Sequence, residues 1–110
     1  MLCIITSEER PTLQQLQMLQ GQGKTVKIIS TAASKWEDVA IAIGLELTIQ
    51  KIHRDTNGVD EACRSVFVSW LEGKTPTVVS WDALVECLEK AELSALANDI
   101  RCVRNMQAVA

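Results

Sequence analysis

His53 is the only histidine of the chain and the one side chain suited to general acid–base work near neutral pH. A lone histidine needs a positioned nucleophile or carboxylate to be catalytic, and no residue pattern here nominates one. The stretch Gly21-Gln22-Gly23-Lys24 lacks the spacing of a phosphate-binding loop and follows no buried strand. We therefore expect no enzyme, no cofactor and no small-molecule substrate, with His53 as a solvated surface residue.

The four cysteines Cys3, Cys63, Cys87 and Cys102 are widely spaced and contain no C-x-x-C pair. Zinc sites usually draw on clustered cysteine and histidine ligands, so the sequence predicts no metal site. Cys63 and Cys87 fall within apolar helical stripes, where a thiol acts as a small hydrophobe.

The 110 residues are 47% hydrophobic and 23% charged, with a formal net charge of −3. These values predict one folded domain with its own core. The acidic balance offers no general cationic field for nucleic acid or an anionic membrane. No stretch approaches the roughly 18 apolar residues of a membrane helix, and Met1–Ile5 is too short for a signal-peptide core. We expect a cytoplasmic protein with no nucleic-acid partner and no membrane span.

The N-terminal third contains two apolar segments. Thr12 can cap a first helix with Gln15 as its capping-box partner, and Leu residues at helical spacing extend this helix to Gln20, where Gly21-Gln22-Gly23 ends it. The second segment, Val26–Ala33, is rich in β-branched residues, so a strand is an alternative to a helix there. No clear second strand exists to pair with it.

Later boundaries are marked by caps and glycines. Ser34 and Glu37 have capping-box spacing at the start of a helix, which Gly44 can end in a left-handed conformation. Gly73 supplies a further stop, and Ser80 can cap the helix that follows.

Between these signals, apolar residues recur at i, i+3, i+4 and i+7, the spacing of a buried helix face. The result is an antiparallel bundle of six or seven short helices. No glycine or proline divides 80–103, so periodicity alone permits one long helix there. The predicted core residues are Trp36, Val39, Ile43, Ile52, Val66, Phe67, Trp70, Trp81, Leu84, Leu88, Leu96 and Ile100.

The order of these residues over 34–101 is more specific than any one of them. It comprises Trp36-x-x-Val39-Ala40-x-x-Ile43-Gly44-Leu45, Ile49-x-x-Ile52, Ala62-Cys63-x-x-Val66-Phe67-x-x-Trp70-Leu71, Ser80-Trp81-x-x-Leu84-x-x-x-Leu88 and Leu93-x-x-Leu96-Ala97-x-x-Ile100. With its three Trp positions, this pattern resembles a death domain.

The resemblance implies an all-α, six-helix antiparallel Greek-key bundle with an extra short N-terminal helix. It implies that Val26–Ala33 is the family's first helix and that the last segment breaks near Lys90–Leu93. The expected organisation is an N-terminal extension over 1–24, a death domain over 25–104 and a C-terminal tail over 105–110.

The implied function is a non-catalytic, homotypic protein-interaction module that assembles signalling complexes in apoptosis or innate immunity. Its partners would be other death-domain proteins, including other copies of itself. Exposed charges on several helices are the candidate interface residues: Glu37, Asp38, Glu46, Lys51, Arg54, Asp60, Glu61 and Arg64.

Two other functions remain open from the sequence. One is a small helical DNA-binding domain that reads through the basic cluster Lys51, His53 and Arg54, against which the acidic net charge weighs. The other is a structural bundle within a larger protein.

Overall fold

The computed structural model describes residues 10–21 and 23–104, and it shows a mostly helical bundle. Cys3 and the predicted tail over 105–110 lie outside these residues. Within them the chain forms seven α-helices, a two-stranded hairpin and two 3₁₀ turns. In chain order these are α1 Leu13–Gln17, β1 Leu19–Gly21, β2 Lys24–Val26, α2 Ile28–Ala32, the turn Ala33–Lys35, α3 Trp36–Ile43, the turn Glu46–Thr48, α4 Ile49–Asp55, α5 Val59–Leu71, α6 Trp81–Lys90 and α7 Ser94–Val103.

The core lies where α3 packs on α5 and α6, with α2 against α5 and α7 against α6. All twelve residues predicted for the core are buried. Trp70 and Phe67 are its largest fully buried side chains, and their rings meet edge-to-face with centroids 6.3 Å apart. The Trp70 indole Nε1 donates a hydrogen bond to the Val78 carbonyl oxygen at 3.1 Å, so its polar atom is satisfied inside the core.

The hairpin corrects the all-α prediction. The capping box of Thr12 and Gln15 is present, but α1 ends at Gln17 rather than Gln20. The backbone becomes extended at Met18, and β1 pairs antiparallel with β2. Leu19 and Val26 face each other in this ladder, and both are buried. Pairing two apolar residues across a sheet and burying both stabilises extended structure over a helix.

The described part of the predicted N-terminal extension belongs to the same core as the bundle. Leu16 and Leu19 are buried in the same hydrophobic cluster as the helices, α1 contacts α2, and both strands contact α7. The approach of β1 to α7 is close: a Cβ on Gly21 would lie 2.9 Å from the Val103 carbonyl oxygen. A glycine there lets the two backbones come together.

The predicted capping box at Ser34 is wrong. Ser34 lies inside the 3₁₀ turn that joins α2 to α3, and α3 begins at Trp36 with no side-chain cap. The Trp36 N–H already donates to the Ala33 carbonyl oxygen, because the chain stays helical through the turn. The Glu37 carboxylate bonds to His53 instead of the backbone. By contrast, Ser80 caps α6 as predicted, accepting from the Ala83 N–H.

Helix α3 ends in a Schellman motif. The Leu45 N–H donates to the Ala40 carbonyl oxygen at 2.8 Å, and the Gly44 N–H donates to that of Ile41 at 3.2 Å. Gly44 has φ +109°, as its left-handed role requires, and a Cβ there would lie 2.6 Å from Cγ of Pro76.

The same motif separates α6 from α7 without a glycine. The Leu93 N–H donates to the Leu88 carbonyl oxygen at 2.8 Å, and the Glu92 N–H donates to that of Glu89 at 3.1 Å. Glu92 itself has φ +64°. The break near Lys90–Leu93 is therefore confirmed, and a non-glycine residue in left-handed backbone makes it.

Gly44→Ala tests how much the close approach of Pro76 adds to backbone strain. We expect it to lower the free energy of unfolding by roughly 2–4 kcal/mol, because it combines left-handed strain with steric overlap. Gly73→Ala is the matched control: Gly73 also ends a helix at positive φ, but a Cβ there meets nothing within 4 Å. For Gly73→Ala, backbone strain alone predicts that the free energy of unfolding falls by roughly 1–2 kcal/mol. If urea denaturation showed the same fall in unfolding free energy for both variants, the Pro76 contact would have no role.

Glu92→Gly tests the strain at the α6–α7 break. We expect the free energy of unfolding to rise by roughly 0.5–1 kcal/mol, since glycine adopts left-handed backbone freely. The ion pair of Glu92 with Lys35 at 3.4 Å is lost, but Glu92 is largely exposed and such pairs contribute little. Glu92→Gln loses the charge and keeps the strained backbone, so it should not gain stability. A destabilised Glu92→Gly protein in thermal or urea unfolding would refute this account.

Candidate interaction surface

The exposed face of α3 carries acidic and apolar side chains together. Glu37 and Asp38 occupy its first turn, and Ile41 follows one turn later. The opposite face, with Trp36 and Val39, is buried. Ile41 remains 49% exposed, although most residues of its type are buried in folded domains. Two depressions flank this face and meet at Asp38.

The first depression has a volume of about 270 Å³ and lies between the start of α3, α4 and the start of α5. His53 contacts the Trp36 ring edge-on, with ring centroids 4.8 Å apart. Its Nε2 also makes a short contact with Oε2 of Glu37, which ties α4 to the first turn of α3. Val59, 51% exposed, supplies an apolar wall, and Lys35 completes the rim.

The second depression has a volume of about 350 Å³ and lies between α3 and the end of α6. Ile41 and Ala42 make its apolar part, while Asp38 and Lys90 carry opposite charges at its rim. The Cys87 thiol donates to the Ala42 carbonyl oxygen at 3.6 Å. This contact places α6 directly beside the carboxyl-terminal half of α3.

The predicted interface residues are all exposed, but the structure distributes them unevenly. Glu37 and Asp38 share the α3 surface, and Glu46 lies on the turn beyond α3. Asp60, Glu61 and Arg64 lie on α5, where Glu61 accepts a hydrogen bond from the Asn57 N–H at 2.9 Å.

The basic cluster of α4 is largely engaged by neighbouring carboxylates. Lys51 Nζ lies 2.9 Å from Oδ2 of Asp55, and this hydrogen bond and charge lower the pKa of the Asp55 carboxyl. His53 is exposed at the surface, as the sequence suggested, and its ring also bonds to Glu37. Arg54 makes no side-chain hydrogen bond or ion pair among the residues described, although its charge also helps to lower the pKa of Asp55. The arrangement leaves little free positive charge for a phosphate backbone.

Four surface residues were not predicted from the sequence: Ile41, Val59, Lys90 and Leu47. Val59 and Ile41 are apolar residues that lie half-exposed on α5 and α3. An apolar residue on the polar face of a helical pattern is a signal that could have identified Ile41. Leu47 is almost fully exposed, and the sequence offers no such signal for it, because its exposure follows from the 3₁₀ turn in which it lies.

The described cysteines show no paired or metal-binding arrangement. Cys63, Cys87 and Cys102 are all free thiols, the first two buried and the third exposed. Burial raises the pKa of the Cys63 thiol to about 12, with Asp60 adding to the shift. Burial also raises the pKa of Cys87, while Lys90 acts in the opposite direction.

Across residues 10–21 and 23–104 there is no group of three or more cysteine, histidine or carboxylate side chains placed to hold a metal ion. No helix in this part of the chain has the length and apolar character needed to cross a bilayer.

Comparisons with protein-family models, curated protein sequences and solved structures found no match to this chain.

Alkylation of the native protein at pH 8 tests the burial of the thiols. A pKa of about 12 leaves about one Cys63 thiol in ten thousand ionised at that pH, and only the thiolate reacts. We expect peptide mapping to find Cys102 modified while Cys63 and Cys87 are spared. In denaturant all three should react. Rapid modification of Cys63 in the folded protein would contradict the packing of α5.

Proposed function

We propose that this chain is a death-domain-type interaction module, which recruits another death domain, or a second copy of itself, into a signalling complex. In this proposal the six helices α2 to α7 form the Greek-key bundle of the family, with α1 and the hairpin added before them. The sequence pattern over 34–101 supports this assignment.

The observation that carries the proposal is the α3 surface. It joins an acidic rim, Glu37 and Asp38, to the half-exposed apolar side chains of Ile41 and Val59. Apolar contact contributes affinity, whereas charge at the rim selects the partner and speeds the encounter.

Both ends of α3 are also held by contacts within the chain. The contact between Glu37 and His53 fixes the first turn of α3, and the Schellman motif at Gly44 fixes its last. A preorganised surface loses less side-chain and backbone entropy on binding. We therefore place the main docking contact on α3 and the adjoining Val59 rather than on the α5 charges Asp60 and Arg64, which line neither depression.

The partner that fits this surface presents basic residues beside an apolar contact. Asp38 makes no ion pair within the described part of the chain, so its charge is available to such a partner. A module of this kind does no chemistry. It raises the local concentration of effectors carried on the same or neighbouring chains.

Asp38→Lys is the direct test, measured as binding to a panel of purified death domains and as self-association by light scattering across protein and salt concentration. We expect at least a tenfold loss of affinity, about 1.4 kcal/mol, because a complementary charge becomes repulsive. Asp82→Lys is the matched control. Asp82 also lies in the first turn of a helix, α6, and makes the same change in net charge away from the α3 surface.

Both variants should retain the circular dichroism and unfolding midpoint of the parent protein. A parent chain that stays monomeric and binds no member of the panel would overturn the proposal. Equal losses for the two variants would refute the role of α3.

A further inference from the structure

Asn57 and Gly58 form the only Asn-Gly pair of the sequence, and they lie in the short linker between α4 and α5. Helix α4 ends at Asp55 and α5 begins at Val59, so neither residue of the pair is inside a helix. Both are exposed to solvent. An asparagine can react with its own backbone at such a place, because its side-chain carbonyl carbon and the next amide nitrogen can close a five-membered ring.

The two groups that would react in this way are free. The Asn57 side-chain amide makes no hydrogen bond with the residues that the structure describes, and neither does the Gly58 N–H. The space beside Gly58 is also open, since a Cβ there would meet nothing within 4 Å. Glycine places no side chain of its own against the attacking nitrogen. Neither hydrogen bonding nor packing in the described bundle therefore protects the pair.

We propose that Asn57 is a site of spontaneous deamidation in the folded protein, with water as the only co-reactant. The Gly58 nitrogen gives its proton to a solvent base and attacks Cγ of Asn57. The bond between Cγ and Nδ2 breaks, ammonia leaves with a proton from solvent, and a succinimide ring forms. Water then opens the ring at either carbonyl, which gives aspartate with the original backbone or isoaspartate with the backbone rerouted through Cγ. This chemistry is independent of the proposed interaction function.

The two products differ in their effect on α5. Aspartate at position 57 adds a negative charge beside Glu61, whose Oε1 accepts a hydrogen bond from the Asn57 N–H at 2.9 Å. Isoaspartate inserts one more carbon between that N–H and the Gly58 carbonyl oxygen, which accepts from the Ala62 N–H at 3.0 Å. Both bonds hold the start of α5, and a longer linker changes their relative position. Isoaspartate therefore loosens the first turn of α5, where Val59 lines the first depression.

The proposal is tested by incubating the protein at pH 8 and following deamidation by peptide mapping with mass spectrometry. The reference is a synthetic peptide spanning residues 54–61. We expect Asn57 in the folded protein to react within roughly tenfold of its rate in the peptide, because the fold leaves both reacting groups free. The rate should rise with pH, since a solvent base removes the Gly58 proton. Reaction slower than in the peptide by more than about tenfold would overturn the proposal.

Asn98 is the internal control. It lies inside α7, and its Oδ1 accepts a hydrogen bond from Nη1 of Arg101 at 3.0 Å. The N–H of the next residue, Asp99, belongs to the hydrogen-bond ladder of the helix. Asn98 should therefore react far more slowly in the folded protein than in a peptide spanning residues 95–102. If Asn57 and Asn98 were protected to the same degree relative to their peptides, the openness of the linker would have no effect.

Two variants test the attack by the Gly58 nitrogen. Asn57→Gln lengthens the side chain, so that only a six-membered ring can form, and the product should be lost. Gly58→Ala places a methyl group beside the nitrogen and should slow the reaction roughly tenfold or more. The same change made in the peptide should slow it equally, which excludes misfolding as the cause. An unchanged rate in the alanine peptide would contradict the succinimide route.

The structural consequence is measured on the separated products. Enzymatic methylation of the isoaspartyl carboxylate with labelled S-adenosylmethionine identifies the isoaspartate fraction, and ion exchange isolates it. This fraction should unfold at a lower urea concentration than the parent. Asn57→Asp is the matched control, because it adds the charge without lengthening the backbone, and its unfolding midpoint should stay near that of the parent. Equal midpoints for the isoaspartate fraction and the parent would refute the loosening of α5.

Discussion

The shape of the candidate interaction surface depends on how the carboxyl end of α3 is held. The Thr77 hydroxyl donates to the Ile43 carbonyl oxygen at 2.6 Å, and Pro76 fills the space that a side chain on Gly44 would need. The loop before α6 thus closes the end of α3 and satisfies one of its last carbonyl groups. Because Gly44 turns the chain sharply there, the next residues enter a projecting turn rather than continuing the helix, and Leu47 reaches solvent.

Local signals in the sequence predicted the helices well where one residue determines the backbone. Thr12 and Ser80 cap helices as expected, and Gly44 and Gly73 end them with positive φ. Local signals failed where tertiary contacts compete with them. Ser34 has cap spacing, but the chain arrives already helical through a 3₁₀ turn. The hairpin was missed because its two strands are three residues each and are stabilised by burial against α7.

The candidate surface was predictable only in part. Helical periodicity placed Glu37 and Asp38 on the exposed face of α3, which the structure shows. The contact of Glu37 with His53 joins residues 16 positions apart on two helices, and nothing in the local pattern of either indicates it. The depression between α3 and the end of α6 depends on the packing of α6 beside α3, a contact across some 45 residues of chain. Periodicity identifies which face of a helix is buried, but it does not identify the neighbour.

Charge pairing within the chain distinguishes the residues that stabilise the bundle from those available to a partner. Lys51 is paired with Asp55, Lys24 with Asp99 and Arg101 with Glu89, so these charges are already compensated. Asp38, Glu46 and Lys90 make no ion pair in the part of the chain described, and all three border the exposed face or the end of α3. Since Asp38 lines both depressions, a partner that docks at either one would approach the same carboxylate.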